Sequence, residues 1–449
     1  MEECKVYRFP EGFVWGAATA SYQIEGSPLA DGAGESIWHR FSHTEGNTHN
    51  GETGDVACDH YRRYREDVAL MKELGLKAYR FSISWPRVLP EGKGRINPKG
   101  LDFYDRLVDE LLENGIEPFA TIYHWDLPGA LHDLGGWINP EIEHWFADYA
   151  AVLFLRLGDR VKRWITLNEP WCSAHLGYVT GHHAPGLRDQ WAGLRAAHHL
   201  LLAHAAAVEV YRASGLQGQI GITVNINATH AGDDAPETLA VVRRVDTYNT
   251  RFFLEPLFKG SYPEELAQHF GRAWPKVTAG DLERIAQPMD FLGINYYTRL
   301  IFAKDPATGT VRQVKSTAPY TDMGWEVYPE GLYEVLKRVH EMAGPLPLYV
   351  TENGAAFPDR IRPDGTVSDP ERTDYLRQHF IQAHRCIQDG IPLAGYFVWS
   401  LMDNFEWAFG YSKRFGVVHV DFETQKRTVK ESGRFFSRVI AQNGLDAES

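Results

Sequence analysis

Cysteine is scarce in this chain: the 449 residues include four, Cys4, Cys58, Cys172 and Cys386. No two of them share a CxxC spacing, so the sequence indicates neither a zinc site nor a disulfide framework, although only the fold decides which cysteines meet. A phosphate-binding P-loop and a GxGxxG motif after a strand are also lacking, which argues against a nucleotide cofactor. We therefore expect an enzyme or binding protein without metal or cofactor.

Long apolar runs are lacking as well. No uninterrupted stretch approaches the roughly 20 residues that a membrane span needs. The first five residues, MEECK, carry two acidic side chains and no apolar segment, so they do not resemble a signal peptide. The net charge of -13 argues against nucleic acid and anionic membranes as partners. We expect a cytoplasmic protein with a small-molecule partner, and a homo-oligomer is compatible with the sequence.

What the chain does have is a recurring pattern. Eight apolar runs rich in β-branched and aromatic residues recur, each followed by a loop and usually by a helical pattern. They cover residues 13–20, 78–85, 118–125, 163–170, 220–225, 291–297, 348–354 and 394–400. Amphipathic spacing predicts helices over residues 59–74, 101–113, 192–213 and 373–388.

Strands that alternate with helices imply a parallel sheet. Eight such units close as a (β/α)8 barrel, a fold that spans more than 400 residues when its loops carry insertions. We predict an α/β protein of this kind, with residues 1–449 forming one catalytic domain. The excess length is expected in long loops at residues 35–55, 168–189 and 303–330.

Polar and aromatic residues stand at the ends of these runs, where buried strands should be apolar. In such barrels the carboxyl ends of the strands form the active-site face. The residues concerned are Arg80, His124, Trp125, Asn168, Glu169, Asn225, Asn295, Tyr296, Tyr297, Glu352, Asn353 and Trp399.

Glu169 and Glu352 are the candidate chemical groups at this face. A pair of carboxyl groups in a wall rich in Trp, His and Asn is typical of glycoside hydrolysis. Two close carboxyl groups do not ionise together easily, so their pKa values separate. We assign the ionised role to Glu352, with Arg80 and the Tyr297 hydroxyl as its stabilisers, and the role of proton donor to Glu169.

Several segments closely resemble the motifs of glycoside hydrolase family 1, in the same order and over nearly the whole chain. They are residues 9–26, 80–87, 166–170, 295–297, 349–354 and 404–407. The resemblance implies a retaining β-glucosidase that releases terminal β-D-glucosyl residues from aryl glucosides, cellobiose and short cello-oligosaccharides. It also implies a covalent glycosyl-enzyme on Glu352, an acid/base role for Glu169, and carboxyl groups about 5–5.5 Å apart.

The resemblance further implies which residues bind the sugar. Groups for the sugar hydroxyls are Gln23, His124, Asn168, Glu406 and Trp407. Tyr297 would orient the nucleophile, Trp399 would form the platform under the ring, and Trp325 would face the leaving group. Asn225 and His183 are expected as more distant neighbours on that side.

Alternatives remain open within and outside this family. The intact Asn168-Glu169 pair favours O-glycosides over thioglycosides, and a carboxylate at Glu406 would repel a 6-phosphate. A preference for β-galactosides or β-fucosides, and transglycosylation, stay compatible with the same residues. From other classes, we consider a non-catalytic sugar-binding barrel, and an interaction protein that uses residues 303–330.

The adjacent pairs His182-His183 and His198-His199 lack the spacing of a metal-binding helix.

Overall fold

The computed structural model describes residues 6–446, so Cys4 and the rest of the first five residues lie outside it. Eight parallel strands form a closed barrel in which each pairs with its neighbour along the chain and the last pairs with the first. They are β1 (Val14–Ala18), β2 (Ala78–Ser82), β3 (Glu117–Tyr123), β4 (Arg163–Asn168), β5 (Gln219–Asn225), β6 (Phe291–Asn295), β7 (Leu348–Asn353) and β8 (Leu393–Trp399). The predicted (β/α)8 barrel is confirmed; its description as a single domain stays a prediction.

Most strands end one to three residues before the predicted runs do. Asn168, Asn225 and Asn295 are the last residues of their strands, whereas His124 and Glu169 follow the ends of theirs. Trp85, for example, begins a short helix instead of ending β2. Three of the predicted site residues have φ values in the left-handed region: 81° at Trp125, 50° at Glu169 and 50° at Trp407.

Helices surround the barrel. The α-helices span Ser21–Ile24, Ile37–Ser42, His60–Leu74, Trp85–Val88, Pro98–Glu113, Gly129–His132, Ile142–Leu157, Gln190–Ala213, Pro236–Asp246, Phe252–Lys259, Glu264–Phe270, Ala279–Ile285, Glu330–Ala343, Pro370–Gln388 and Glu431–Gln442. The four predicted helices are present, and three of them begin two or three residues earlier than predicted. Two of these four predicted helices begin at proline, Pro98 and Pro370, because the first helical position needs no backbone N–H and suits the fixed φ of proline.

Aromatic rings fill the amino-terminal end of the barrel. The ring centroids of Phe119 and Phe397 lie 4.8 Å apart, and those of Phe291 and Tyr349 lie 5.4 Å apart. Gly16 makes room for this layer, since a Cβ there would lie 2.5 Å from the Phe397 ring. The barrel is therefore closed at this end, and a substrate can approach only from the carboxyl ends of the strands.

The long segments between barrel strands contain secondary structure of their own. Residues 35–55 contain the helix Ile37–Ser42, and residues 168–189 contain a π-helix, Cys172–Val179. Our reading of residues 303–330 as an irregular loop is only partly right. Arg299–Lys304 and Val311–Val314 pair as an antiparallel hairpin, which a third strand, Ala228–Ala231, extends.

The remaining short strands lie outside the barrel. They are Val6–Arg8, Arg360–Ile361, Val367–Ser368, Val418–Val420, Arg427–Val429 and Gly444–Asp446. Cys58, Cys172 and Cys386 are buried and free. Within residues 6–446, no helix combines the length and the apolar character needed to cross a bilayer.

Candidate active site

Glu352 lies near the end of β7 and is held by two donors. Arg80 Nη1 donates to its Oε1 at 2.7 Å, and the Tyr297 hydroxyl donates to its Oε2 at 2.7 Å. Burial raises the pKa of Glu352, while Arg80 and Tyr297 oppose that rise because both favour the charged form. Glu352 is therefore the carboxyl group of the site that is equipped to carry negative charge.

Glu169 follows β4 and has different partners. Asn295 Nδ2 donates to its Oε1 at 2.6 Å, and the Cys172 thiol donates to its Oε2 at 2.9 Å. Burial, and then the charge of Glu352, raise the pKa of Glu169 to about 7. A carboxyl group with that pKa can hold a proton near neutral pH and can also accept one, which is the property an acid/base group needs.

Arg80 connects the two halves of the site. This fully buried guanidinium on β2 donates to Glu352 and also, from Nη2, to Asn168 Oδ1 at 2.6 Å. Asn168 Nδ2 lies 3.0 Å from His124 Nε2, so the network continues to β3. Side chains from β2, β3, β4 and β7 are thus linked by hydrogen bonds around one mouth.

The wall beside this pair is aromatic. His124 stacks against both Trp399 and Trp407, with centroids 5.8 and 6.0 Å apart and ring planes within 26°. Trp125 packs on Trp407 at 4.7 Å and donates from Nε1 to the Asn168 carbonyl at 2.9 Å. Flat apolar faces beside polar groups suit a sugar ring, which has C–H faces and a rim of hydroxyls.

Four buried polar atoms of the predicted sugar site have no hydrogen-bond partner within residues 6–446. They are Gln23 Oε1, His124 Nδ1, Asn225 Oδ1 and Glu406 Oε2. A buried polar atom without a partner is costly, so such atoms at a cleft mark places for a ligand or water. Burial and then the charges of Glu352 and Glu169 raise the pKa of Glu406 to about 8. The charge argument against a 6-phosphate is therefore weaker than the sequence implied, because Glu406 is largely neutral at pH 7 in the free site.

Two predicted residues lie further from the carboxyl pair. Trp325 is half-buried and packs against the Tyr297 ring at 5.3 Å, so it contacts the site through Tyr297. His183 lies behind the aromatic wall, 5.2 Å from Trp125 and 5.2 Å from Trp38.

Sequence reasoning missed two partners. Cys172, which we considered only as a possible disulfide or zinc residue, donates to Glu169 from one helical turn further along the chain. The signal available in the sequence was the spacing of three residues between Glu169 and Cys172, which brings two side chains together across one helical turn. Asn404 accepts from Gln23 Nε2 at 3.1 Å and so orients that amide; it lies within the 404–407 motif but received no role.

A closed (β/α)8 barrel whose mouth holds two carboxyl groups with different hydrogen-bond partners, beside aromatic rings, is typical of glycosidases. The family model for glycosyl hydrolase family 1 matches residues 5–445. This chain belongs to glycosyl hydrolase family 1.

Several similar proteins are named as β-glucosidases. Beta-glucosidase A of Thermotoga maritima is 56% identical over 444 residues, which cover 98% of this chain and 99% of that protein. A bifunctional beta-D-glucosidase/beta-D-fucosidase of Bifidobacterium breve is 46% identical, with 97% and 98% covered. A solved structure of the Thermotoga maritima beta-glucosidase in complex with galacto-hydroximolactam superposes with a TM-score of 0.94 at 56% identity, covering 98% of this chain and 100% of that one.

Proposed function

We propose that this protein is a retaining β-glucosidase that removes terminal β-D-glucosyl residues from aryl glucosides and short cello-oligosaccharides. The observation that carries the proposal is the unequal environment of the carboxyl pair. Arg80 and Tyr297 stabilise charge on Glu352, whereas Glu169 has a pKa of about 7 and is hydrogen-bonded to the neutral groups of Asn295 and Cys172. The names of the similar proteins support glucose as the sugar.

In the first step, a carboxylate oxygen of Glu352 attacks the anomeric carbon. Glu169 gives its proton to the glycosidic oxygen, so the leaving group departs as a neutral alcohol while the Glu352 ester forms. In the second step, Glu169, now a carboxylate, takes a proton from water, whose oxygen attacks the anomeric carbon and releases Glu352. Two inversions give net retention, for which the carboxyl groups should lie about 5–5.5 Å apart.

The assignment of roles is tested with azide. In Glu352→Ala the nucleophile is lost, so turnover should fall to near zero and azide should return the α-glycosyl azide from an activated aryl β-glucoside. In Glu169→Ala the ester still forms on activated substrates, and azide should return the β-azide. The opposite pair of anomers, identified by NMR, would reverse the roles of the two residues.

A broader sugar preference is the second candidate. The Bifidobacterium breve relative is named for both glucosidase and fucosidase activity, and the Thermotoga maritima enzyme was solved with a galacto-configured compound. Comparing kcat/KM on aryl β-glucoside, β-galactoside and β-fucoside measures this preference directly. The same panel, run at high substrate concentration, shows transglycosylation as oligosaccharide products.

A non-catalytic sugar-binding barrel is less well supported. Such a protein would not need a carboxyl group with a pKa of about 7, that of Glu169, beside the charged Glu352. Both carboxyl groups are present and hydrogen-bonded. A complete absence of hydrolysis across the aryl glycoside panel, with binding retained, would favour it. Cytoplasmic location stays a prediction, and the absence of nucleic-acid partners stays a prediction from the acidic composition.

A further inference from the structure

A group of metal-binding side chains lies outside the active site, on the long segment between β1 and β2. His39 is in the helix Ile37–Ser42, His43 caps that helix, and Asp55 lies twelve residues further on. Each offers one ligand atom, and the three atoms lie within 4.8 Å of one another. We propose that His39, His43 and Asp55 form a binding site for a divalent transition-metal ion, with Zn²⁺ as the best fit.

The distances suit such an ion. His43 Nε2 lies 2.9 Å from Asp55 Oδ2, and His39 Nδ1 lies 3.6 Å from Asp55 Oδ1. In tetrahedral zinc with bonds of about 2.0–2.1 Å, neighbouring ligand atoms are about 3.4 Å apart. The two observed distances lie on either side of that value, so small side-chain adjustments would place all three atoms around one ion.

The hydrogen bonds direct the ligand atoms toward one another. His43 Nδ1 lies 2.6 Å from the His39 carbonyl and keeps its N–H there, while Nε2 lies 2.9 Å from Asp55 Oδ2, so a metal ion would replace the proton between these two atoms. Zinc-binding histidines commonly donate their other N–H to a carbonyl in this way. His39 Nδ1 is buried and has no hydrogen-bond partner within residues 6–446.

Within residues 6–446, the ion-pair partners of this carboxylate are the two histidines of the proposed site. Arg40, the nearest candidate, pairs with Glu35 and Asp133 at 2.6 Å each, and Asp55 has no lysine or arginine partner between residues 6 and 446. The second group with suitable spacing, Asp359, Asp403 and His419, differs in this respect. Its carboxylates already bind Lys430, at 2.8 Å from Asp359 and 2.7 Å from Asp403, so a metal ion would have to displace a buried charge.

The site is accessible and lies next to an element that supports the active site. The side chains of His43 and Asp55 are 38% and 46% exposed, which gives an ion a way in. Just before Asp55, Glu52 accepts from the Tyr411 backbone N–H at 2.7 Å, and Thr53 accepts from the Tyr411 hydroxyl at 2.6 Å. Metal binding would therefore join residues 39 and 55 and close a loop that supports the segment after Trp407. It would raise the stability of the fold without taking part in hydrolysis.

The test measures metal binding to the untagged full chain, with readouts that do not depend on hydrolysis. Calorimetry with Zn²⁺ should show one site per chain, and Co²⁺ should give the visible d–d absorption of a tetrahedral complex. At a free Zn²⁺ concentration 100 times Kd, Tm should rise by about 3 °C for a chain of this size.

His39→Ala, His43→Ala and Asp55→Asn should each weaken Zn²⁺ binding by about 100-fold or more, because loss of a ligand costs at least as much as loss of an outer-shell partner. His49→Ala is the matched control, since it removes an exposed histidine from the same segment and should bind Zn²⁺ like the parent. Unchanged hydrolysis of an aryl glycoside shows that each variant is folded. Binding that survives all three substitutions, or no one-to-one binding by the parent, would overturn the proposal.

Discussion

The hydroxyl of Tyr297 provides a direct test of how the site stabilises Glu352, the proposed nucleophile. It donates to Glu352 Oε2 at 2.7 Å, and its ring packs against Trp325 and Phe415. Tyr297→Phe removes the hydrogen bond and keeps the ring. A hydrogen bond to a charged group contributes about 1.5–3 kcal/mol. If that stabilisation serves the attacking carboxylate, kcat/KM should fall about 10- to 150-fold, at 1.36 kcal/mol for each factor of ten.

The pH profile gives the sign of the effect. The Tyr297 hydrogen bond lowers the pKa of Glu352 because it favours the charged form. Without it that pKa rises, so Glu352 is protonated at higher pH and the acidic limb of kcat/KM should move to higher pH. The basic limb, which reports the proton on Glu169, should move little. Initial rates on an aryl β-glucoside across the pH range measure both limbs.

Tyr296→Phe provides the matched control. The hydroxyl of Tyr296 donates to the Tyr328 carbonyl at 2.5 Å and does not bond either carboxyl group of the pair. This variant should keep both limbs in place. An unchanged acidic limb in Tyr297→Phe, or the same shift in Tyr296→Phe, would refute the view that Tyr297 stabilises the charged nucleophile.

Two further predictions concern other groups. Cys172→Ala should raise the pKa of Glu169 and move the basic limb of the pH profile upward, because the thiol hydrogen bond favours the charged form; an unmoved basic limb would contradict this. Arg372→Met should destabilise the fold by about 3–5 kcal/mol in urea unfolding, because it leaves Asp369 buried without its ion pair. In the control Arg360→Met, the broken pair is exposed and the loss should stay below about 1 kcal/mol, and equal losses in the two variants would contradict the prediction.

The architecture was predictable because local patterns determine it. Eight β-rich runs recur, usually with a helical pattern after them, and eight such units close as a parallel barrel. The strand ends then indicate the active-site face, and Glu169 and Glu352 follow from their positions there. Helix starts were placed less accurately, since the prediction followed the apolar and polar spacing and did not use Pro98 and Pro370, which suit the first helical position.

The sequence by itself therefore determined the barrel, its family resemblance and the identity of the two candidate carboxyl groups. Only the tertiary structure decided which groups contact which carboxyl, because those contacts join strands that are far apart in the chain. Arg80 and Glu352 are separated by 272 positions, and Asn295 and Glu169 by 126. The burial that raises the pKa of Glu169 and Glu406 was likewise decided by the tertiary structure. It depends on how much water the neighbouring elements exclude from the barrel mouth, which no local segment determines.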